Sequence, residues 1–406
     1  MVATQAYGVI GACYGDEGKG RTVDAIVHRL GAGTVVVRSN GGAQAGHTVV
    51  APSGARHVFH QLGSGAFAGA ATHFSRFMVS HPMMLAEEVR AVAALGGETV
   101  ITADPRGFVT TPWDMMVNQA IEMARGGGRH GSCGLGFGET VGRNEETDFG
   151  LSVADLRAAD LRDRLVAIRD TWLPARLGAL GVGDAGAEFL AFAASDAVLD
   201  RYLEDCRLFT QLVAIRGDAD LGADLRRARH VVFEAAQGLM LDQRHPDFPH
   251  LTRSNTGIRN MLAIAGEAGI ASLDAWYATR CYITRHGRGP MADERDIAGF
   301  FAVEDPTNVP NAWQEAIRTG LLDVDTLALT IAADAALAAE SGVALTRRLS
   351  VSCLDQAVAG MVTCLAGGEM IRVPSLAFPF WLGARVGAVN ATGWWSPARE
   401  ALALCA

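Results

Sequence analysis

The first forty residues constrain the architecture more than any other stretch. Residues 7–13, YGVIGAC, form a short apolar run that ends in a glycine-rich turn, GDEGKG. Residues 22–30 then read as a helix, and residues 34–38, TVVVR, as a second buried strand followed by another glycine-rich loop, SNGGAQAGHT. Strand, glycine loop, helix, strand is the opening of a parallel α/β sheet. Further strand candidates lie at 99–103, 230–234, 276–284, 349–353 and 361–365. Most are continuous β-branched runs, as strands covered on both faces require. From 151 to 229 the pattern turns alanine- and leucine-rich with mixed charge, and a capping box at Ser152 and Asp155 opens it. This span reads as a helical insertion on the sheet. With no repeat, linker or low-complexity tract, residues 1–406 read as one continuous, mostly parallel α/β unit with a P-loop-like phosphate loop.

Composition narrows the class. Apolar residues make up 49% and charged residues 19%, which excludes disorder. The net charge of −9 argues against nucleic acid or an anionic membrane as partner. No apolar run approaches the roughly 20 residues of a membrane span, and residues 1–20 lack the basic start and cleavage site of a signal peptide. The seven cysteines include no CxxC pair, so they read as reduced thiols, neither a disulfide framework nor a zinc site. The expectation is a soluble cytoplasmic protein.

One residue stands apart. Of 35 basic residues, Lys19 is the only lysine and the other 34 are arginines. A composition so biased toward arginine leaves a lysine where a compact ammonium on a flexible stem is needed and a planar fork does not fit. Lys19 lies inside GDEGKG, where an ammonium against phosphate oxygens is the obvious use.

The loop at 11–21, GACYGDEGKGR, places backbone N–H groups and a helix N-terminus against an anion. It is not a Walker A motif, because Cys13 stands where a glycine is required and no Ser or Thr directly follows Lys19 to hold Mg²⁺. Asp16, the nearest oxygen donor, either bridges to the phosphates through a cation or works as a base. In the second loop His47 sits in a polar glycine-rich setting that suits a phosphate contact or a general acid.

Together these loops carry a family resemblance. GDEGKG followed by GGAQAGHT resembles the adenylosuccinate synthetases, GTP-dependent ligases of purine synthesis. The segment at 233–256, FEAAQGLMLDQRHPDFPHLTRSNT, is similar to a further block of that family, as are ITRHGRGP at 283–290, RTGLLD at 318–323 and SCLD at 352–355. The last fifty residues, with 367–406 as a divergent and shortened end, match weakly.

The resemblance implies the family's fold and a two-step reaction. The 6-oxo oxygen of inosinate is phosphorylated by GTP, then displaced by the amine of aspartate to give adenylosuccinate. It implies Asp16 and His47 as catalytic residues, and Mg²⁺ held by Asp16 and the Gly46 carbonyl. GTP would contact Gly15, Glu17, Gly18, Lys19, Gly20, Arg21, Gly46, Thr48, Cys353 and Asp355, with the aspartate reading guanine. The substrate nucleotide would meet Gln44, His130, Arg143, Gln237 and Thr252. Arg143 would reach into a neighbouring subunit's site, which implies a homodimer. The amine donor would meet Asn308, Arg318 and Arg285.

Departures from the family pattern are informative. His130 replaces a threonine, Gln44 an asparagine and Cys353 a lysine. Glu315, Ala316 and Ile317 stand where the family offers arginines to the donor's carboxylates, and Glu315 would repel them. A paralogue acting on another oxo substrate or amine donor is therefore a second reading. A non-catalytic purine-nucleotide-binding regulator is a third, although a binder has no need of a base in its phosphate loop.

The lone lysine yields a direct expectation. Lys19→Arg should weaken GTP binding by about tenfold or more, since the fork does not fit a cradle shaped for an ammonium. Calorimetric titration with GTP checks this, and an unchanged affinity would show that the lysine is incidental.

Overall fold

The computed structural model describes residues 5–397 except 32, 52, 184–185, 228–229 and 306–315. Its centre is a nine-stranded sheet whose neighbouring strands all run parallel. Across the sheet the order is Asn390–Gly393, Ala344–Ser352, Ser272–Arg280, Gln5–Gly11, His230–Gly238, Thr34–Arg38, Ala71–Phe74, Ile101–Ala103 and Val213–Ile215. The expected strands at 34–38, 99–103, 230–234 and 349–353 fall in this sheet.

Alternation within strands explains the two layers. Val9, Val36, Val232 and Trp276 face one way and bury Val23, Ile26 and Val27 of the helix Lys19–Leu30. Ile10, Val35, Val37, Val231 and Phe233 face the other way, where Met261 and Ile264 of the helix Arg259–Ala268 join the core. Strands covered on both faces carry the continuous apolar runs seen in the chain.

Several expectations shift in detail. The run at 276–284 divides into Ser272–Arg280 in the main sheet and Ile283–Arg285 in a hairpin with Arg318–Gly320. The run at 361–365 forms Met361–Ala366, outside the main sheet and antiparallel to Glu369–Pro374. The capping box at Ser152 and Asp155 is formed, with Asp155 accepting from both the Ser152 N–H and hydroxyl, but it opens a single 3-10 turn. Residues 161–226 are mainly helical, yet Val213–Ile215 between them supplies an edge strand. At the far edge Asn390–Gly393 pairs with Ala344–Ser352, so the divergent end completes the sheet. Short strands such as Ala71–Phe74 give too few residues for periodicity to register.

The first strand is central, flanked by Ser272–Arg280 and His230–Gly238. Loops leaving the carboxyl ends of these strands and of Thr34–Arg38 gather at one rim, where ligands of such sheets bind. Gly11 closes the first strand in the tightest place. A Cβ there would meet Glu17 Oε2 at 2.4 Å, the Gln237 carbonyl at 2.6 Å and Lys19 Nζ at 2.9 Å. Gly11→Ala should therefore destabilise the fold by about 2 kcal/mol, read as a fall in thermal midpoint, and should remove nucleotide binding.

Candidate active site

The chain passes from the central strand into the helix through Gly15 (φ 121°) and Gly18 (φ 83°), conformations that favour glycine. Within this turn lies the buried carboxylate of Glu17. It accepts the N–H groups of Cys13 at 3.0 Å and Gly15 at 2.6 Å, and pairs with Lys19 Nζ at 3.0 Å. Lys19 Nζ also donates to the Gly15 carbonyl at 2.5 Å. Three donors suited to an anion thus converge on one point, now filled by the loop's own carboxylate. The expectation that Glu17 serves the nucleotide is corrected to this extent: it occupies the cradle itself.

Asp16 lies beside it, about a quarter exposed. Its Oδ2 is 2.9 Å from His286 Nε2, and its carbonyl accepts from Arg280 Nε. Burial pushes the Asp16 carboxyl up, but the His286 hydrogen bond and the charges of Arg280 and Lys19 outweigh it and hold the group at about 2. It is ionised throughout the physiological range.

His47 begins the hairpin strand His47–Val50 and packs its Cβ against Gly20, where an added Cβ would stand only 3.0 Å away. Its Nδ1 is 2.6 Å from Glu234 Oε1. Glu234 also accepts from the Ser64 N–H at 3.0 Å and from the Ser64 hydroxyl. Burial holds the His47 imidazole well below its usual range despite the pull of Glu234. The pair is therefore a neutral imidazole donating Nδ1–H to an ionised carboxylate, with Nε2 left without a protein partner. Gly46 is exposed and Thr48 follows in the same strand.

A second group of unsatisfied polar atoms marks the neighbouring pocket. Gln44 Nε2 and Gln237 Oε1 are buried without a hydrogen-bond partner, and Gln237 takes a left-handed φ of 58° at its strand end. The two amides flank Gly41 and Gly42, whose added Cβ atoms would meet Gln237 Oε1 at 3.3 Å and Gln44 Oε1 at 3.0 Å respectively. Buried polar groups without partners are the usual mark of a missing ligand or water. Thr252 stands on the adjoining loop, tied by its N–H to the Leu241 carbonyl at 3.0 Å. Asp355 is exposed in the turn Leu354–Gln356, just after Cys353, which is left-handed at φ 61°.

Other expected site residues are placed differently. Arg143 is buried and spoken for within its own chain: Nε and Nη2 hold Asp114 at 2.9 and 2.8 Å, while Nη1 and Nη2 donate to the carbonyls of Phe149 and Val109. Arg21 turns from the phosphate loop to the C-terminal segment, lying over Trp394 at 4.7 Å and donating to the Ser396 carbonyl at 2.6 Å. Arg285 donates to the Pro290 and His250 carbonyls, and Arg318 to those of Gly287 and Gly289 while pairing with Glu294. Both forks are committed to shaping a loop. The His130 ring lies tilted against that of His250, with centroids 5.0 Å apart, at the side of that loop. Asn308 falls outside the described residues.

The chain's own relatives decide the identity. The adenylosuccinate synthetase profile matches residues 8–347. An adenylosuccinate synthetase of Anaeromyxobacter sp. strain Fw109-5 is 30% identical over 327 residues, covering 76% of this chain and 72% of that one. The chain belongs to the adenylosuccinate synthetase family. Members of this family are ligases that form a carbon–nitrogen bond, and this protein is one of them. The enzyme of that name from Xylella fastidiosa strain M12 is 32% identical over 302 residues, or 72% of this chain and 66% of its own length. Among solved structures, a fully ligated adenylosuccinate synthetase from Plasmodium falciparum shares the fold with a TM-score of 0.72 at 16% identity, covering 98% of this chain and 99% of that one. A cyanophage S-2L succinoaminodeoxyadenylate synthetase bound to dGMP and dATP gives 0.62 at 17% identity, over 98% and 94%.

Three site residues escape the motif reading: Glu234, Arg280 and His286. Glu234 lies inside the quoted FEAAQG block, but nothing local tells which strand residue will face His47. Glu234→Gln keeps the shape while placing an amide N–H toward His47 or Ser64. Turnover should fall by at least about 10²-fold with GTP binding retained, as measured by steady-state kinetics beside calorimetry.

Proposed function

We propose that the protein phosphorylates the 6-oxo oxygen of inosinate with GTP and replaces the phosphate with an amino-acid amine, releasing GDP and phosphate. Aspartate is the donor in the leading reading, and adenylosuccinate the product. The observation that carries this is the convergence of the Lys19 ammonium and the Cys13 and Gly15 N–H groups on one anion position beside an ionised Asp16. Binding needs only the first of these; a lactam oxygen becomes a competent nucleophile only when N1 loses its proton, which calls for the second.

In this mechanism the γ-phosphate displaces Glu17 from the cradle and takes over its donors. Asp16 receives the N1 proton, so that charge develops on O6. Lys19 and the loop N–H groups neutralise the equatorial oxygens as the phosphoryl group passes across. The bare Nε2 of His47 takes up a proton from solvent as phosphate oxygens arrive, with Glu234 stabilising the resulting imidazolium. The ionised, quarter-exposed Asp16 carboxylate is a hard oxygen donor that fits Mg²⁺, and the exposed Gly46 would offer its carbonyl as a second. The ion would take its remaining positions from phosphate and water, and would supply charge neutralisation there. Asp355 would read the N1–H and 2-amino group of guanine.

A second reading keeps the activation step and changes the donor. It is favoured by the commitment of Arg285 and Arg318 to loop carbonyls, and by Arg318 being the only basic residue between Gly299 and Thr319. A dicarboxylate there would be under-compensated. A non-catalytic regulator is disfavoured by Asp16, Lys19 and His47 meeting in one site. A homodimer in the cytoplasm accompanies the proposal.

The experiment is a competition. GTP and inosinate are supplied with aspartate, alanine, glycine, asparagine or hydroxylamine, and products are weighed by mass spectrometry. Adenylosuccinate as the dominant product is the expected result. A product with another amine alone would establish the second reading, and no phosphate release with any donor would end both.

A further inference from the structure

His286 lies in ITRHGRGP, at a position none of the site assignments uses. Its Nε2 stands 2.9 Å from Asp16 Oδ2. Behind Asp16, Arg280 donates through Nε to the Asp16 carbonyl, and its Nη2 pairs with Asp305 at 2.8 Å. Asp16 is thus held at both ends, main chain and carboxylate.

The loop that presents His286 is locked on every side. Arg285 donates to the Pro290 carbonyl at 2.5 Å and the His250 carbonyl at 2.8 Å. Arg318 donates to the carbonyls of Gly287 and Gly289, each at 2.8 Å. The Arg288 N–H donates to the His130 carbonyl at 3.2 Å. Gly131 is pressed onto Gly287 so closely that an added Cβ would lie 2.5 Å from its Cα. So many fixings on one short loop give His286 a defined position. That matters because the charges of Arg280 and Lys19 also act on the Asp16 carboxylate, and a fixed hydrogen-bond donor sets which way it turns.

We propose that His286 is a positioning residue for Asp16: its hydrogen bond to Oδ2 fixes the orientation in which the carboxylate meets the substrate's N1–H. His286 itself touches no reacting atom. This inference rests on the ligase reading, because it assigns a use to Asp16 in the activation step. A base displaced by about 1 Å loses on the order of 10²-fold in rate. A side chain that only braced the loop would change stability and substrate affinity together.

The test isolates activation from amination. GTP carrying ¹⁸O in the β–γ bridge is incubated with inosinate and Mg²⁺ without an amine donor, and scrambling of the label into non-bridging positions reports reversible phosphoryl transfer. His286→Ala should slow scrambling by about 10²-fold while KM for GTP moves less than about threefold. His286→Gln, whose Nε2 can donate from the same reach, should recover most of the rate. An Ala variant that scrambles like wild type, or a Gln variant as slow as Ala, would overturn the proposal. Wild-type protein that scrambles nothing would count against the ligase reading instead. The contact is then judged in ¹⁵N-histidine-labelled protein, where Asp16→Asn should move the His286 Nε2 resonance; an unmoved resonance would also overturn it.

Discussion

Lys19 is an ammonium buried to 2% exposure, and a buried cation needs an anion within hydrogen-bond reach. Glu17 supplies one at 3.0 Å, and the same carboxylate collects the N–H groups of Cys13 and Gly15. The turn that closes around this pair is what the site depends on. Gly11 and Gly238 cannot carry a Cβ because Glu17, Lys19 and the Cys13 carbonyl fill the space. Gly18 must take a left-handed conformation for Lys19 to start the helix. The pair keeps three anion-directed donors gathered on one carboxylate.

Around that cradle the parallel sheet does the assembling. Five strand ends converge on one rim, and each delivers a different group. The first strand carries the phosphate loop, Thr34–Arg38 the loop with Gln44 and His47, and His230–Gly238 both Glu234 and Gln237. Ser272–Arg280 ends on Arg280, and Ala344–Ser352 runs into Cys353 and Asp355. Charge is handled in pairs at this rim. His47 leans on Glu234, Asp16 on His286, and Arg280 on Asp305. Each pairing fixes the position of its two side chains, as precise placement requires.

Much of this was legible in the order of residues. The glycine turns, the lone lysine, the doubly covered strands and the spacing of the two loops are local properties, set by backbone conformation and short-range sterics. They pointed to a parallel α/β sheet and to Asp16, Lys19 and His47 as one cluster. The intrachain partners of the arginines were not legible, for a physical reason. A guanidinium donates equally well to a phosphate, a carboxylate or a backbone carbonyl, and its composition is the same in each case. Arg143 went to Asp114, Arg21 to Trp394 and Ser396, and Arg285 and Arg318 to the carbonyls of a glycine-rich loop.

The sequence by itself determined the sheet's type, the phosphate loop and the family, because these follow from patterns within a few tens of residues. Only the tertiary structure decided which charges meet. Glu234 reaches His47 across 187 positions of chain, and His286 reaches Asp16 across 270, through loops whose ends are adjacent only once the strands have paired. A hydrogen bond at such separation depends on strand register and loop packing, and neither is written in the residues on either side of it.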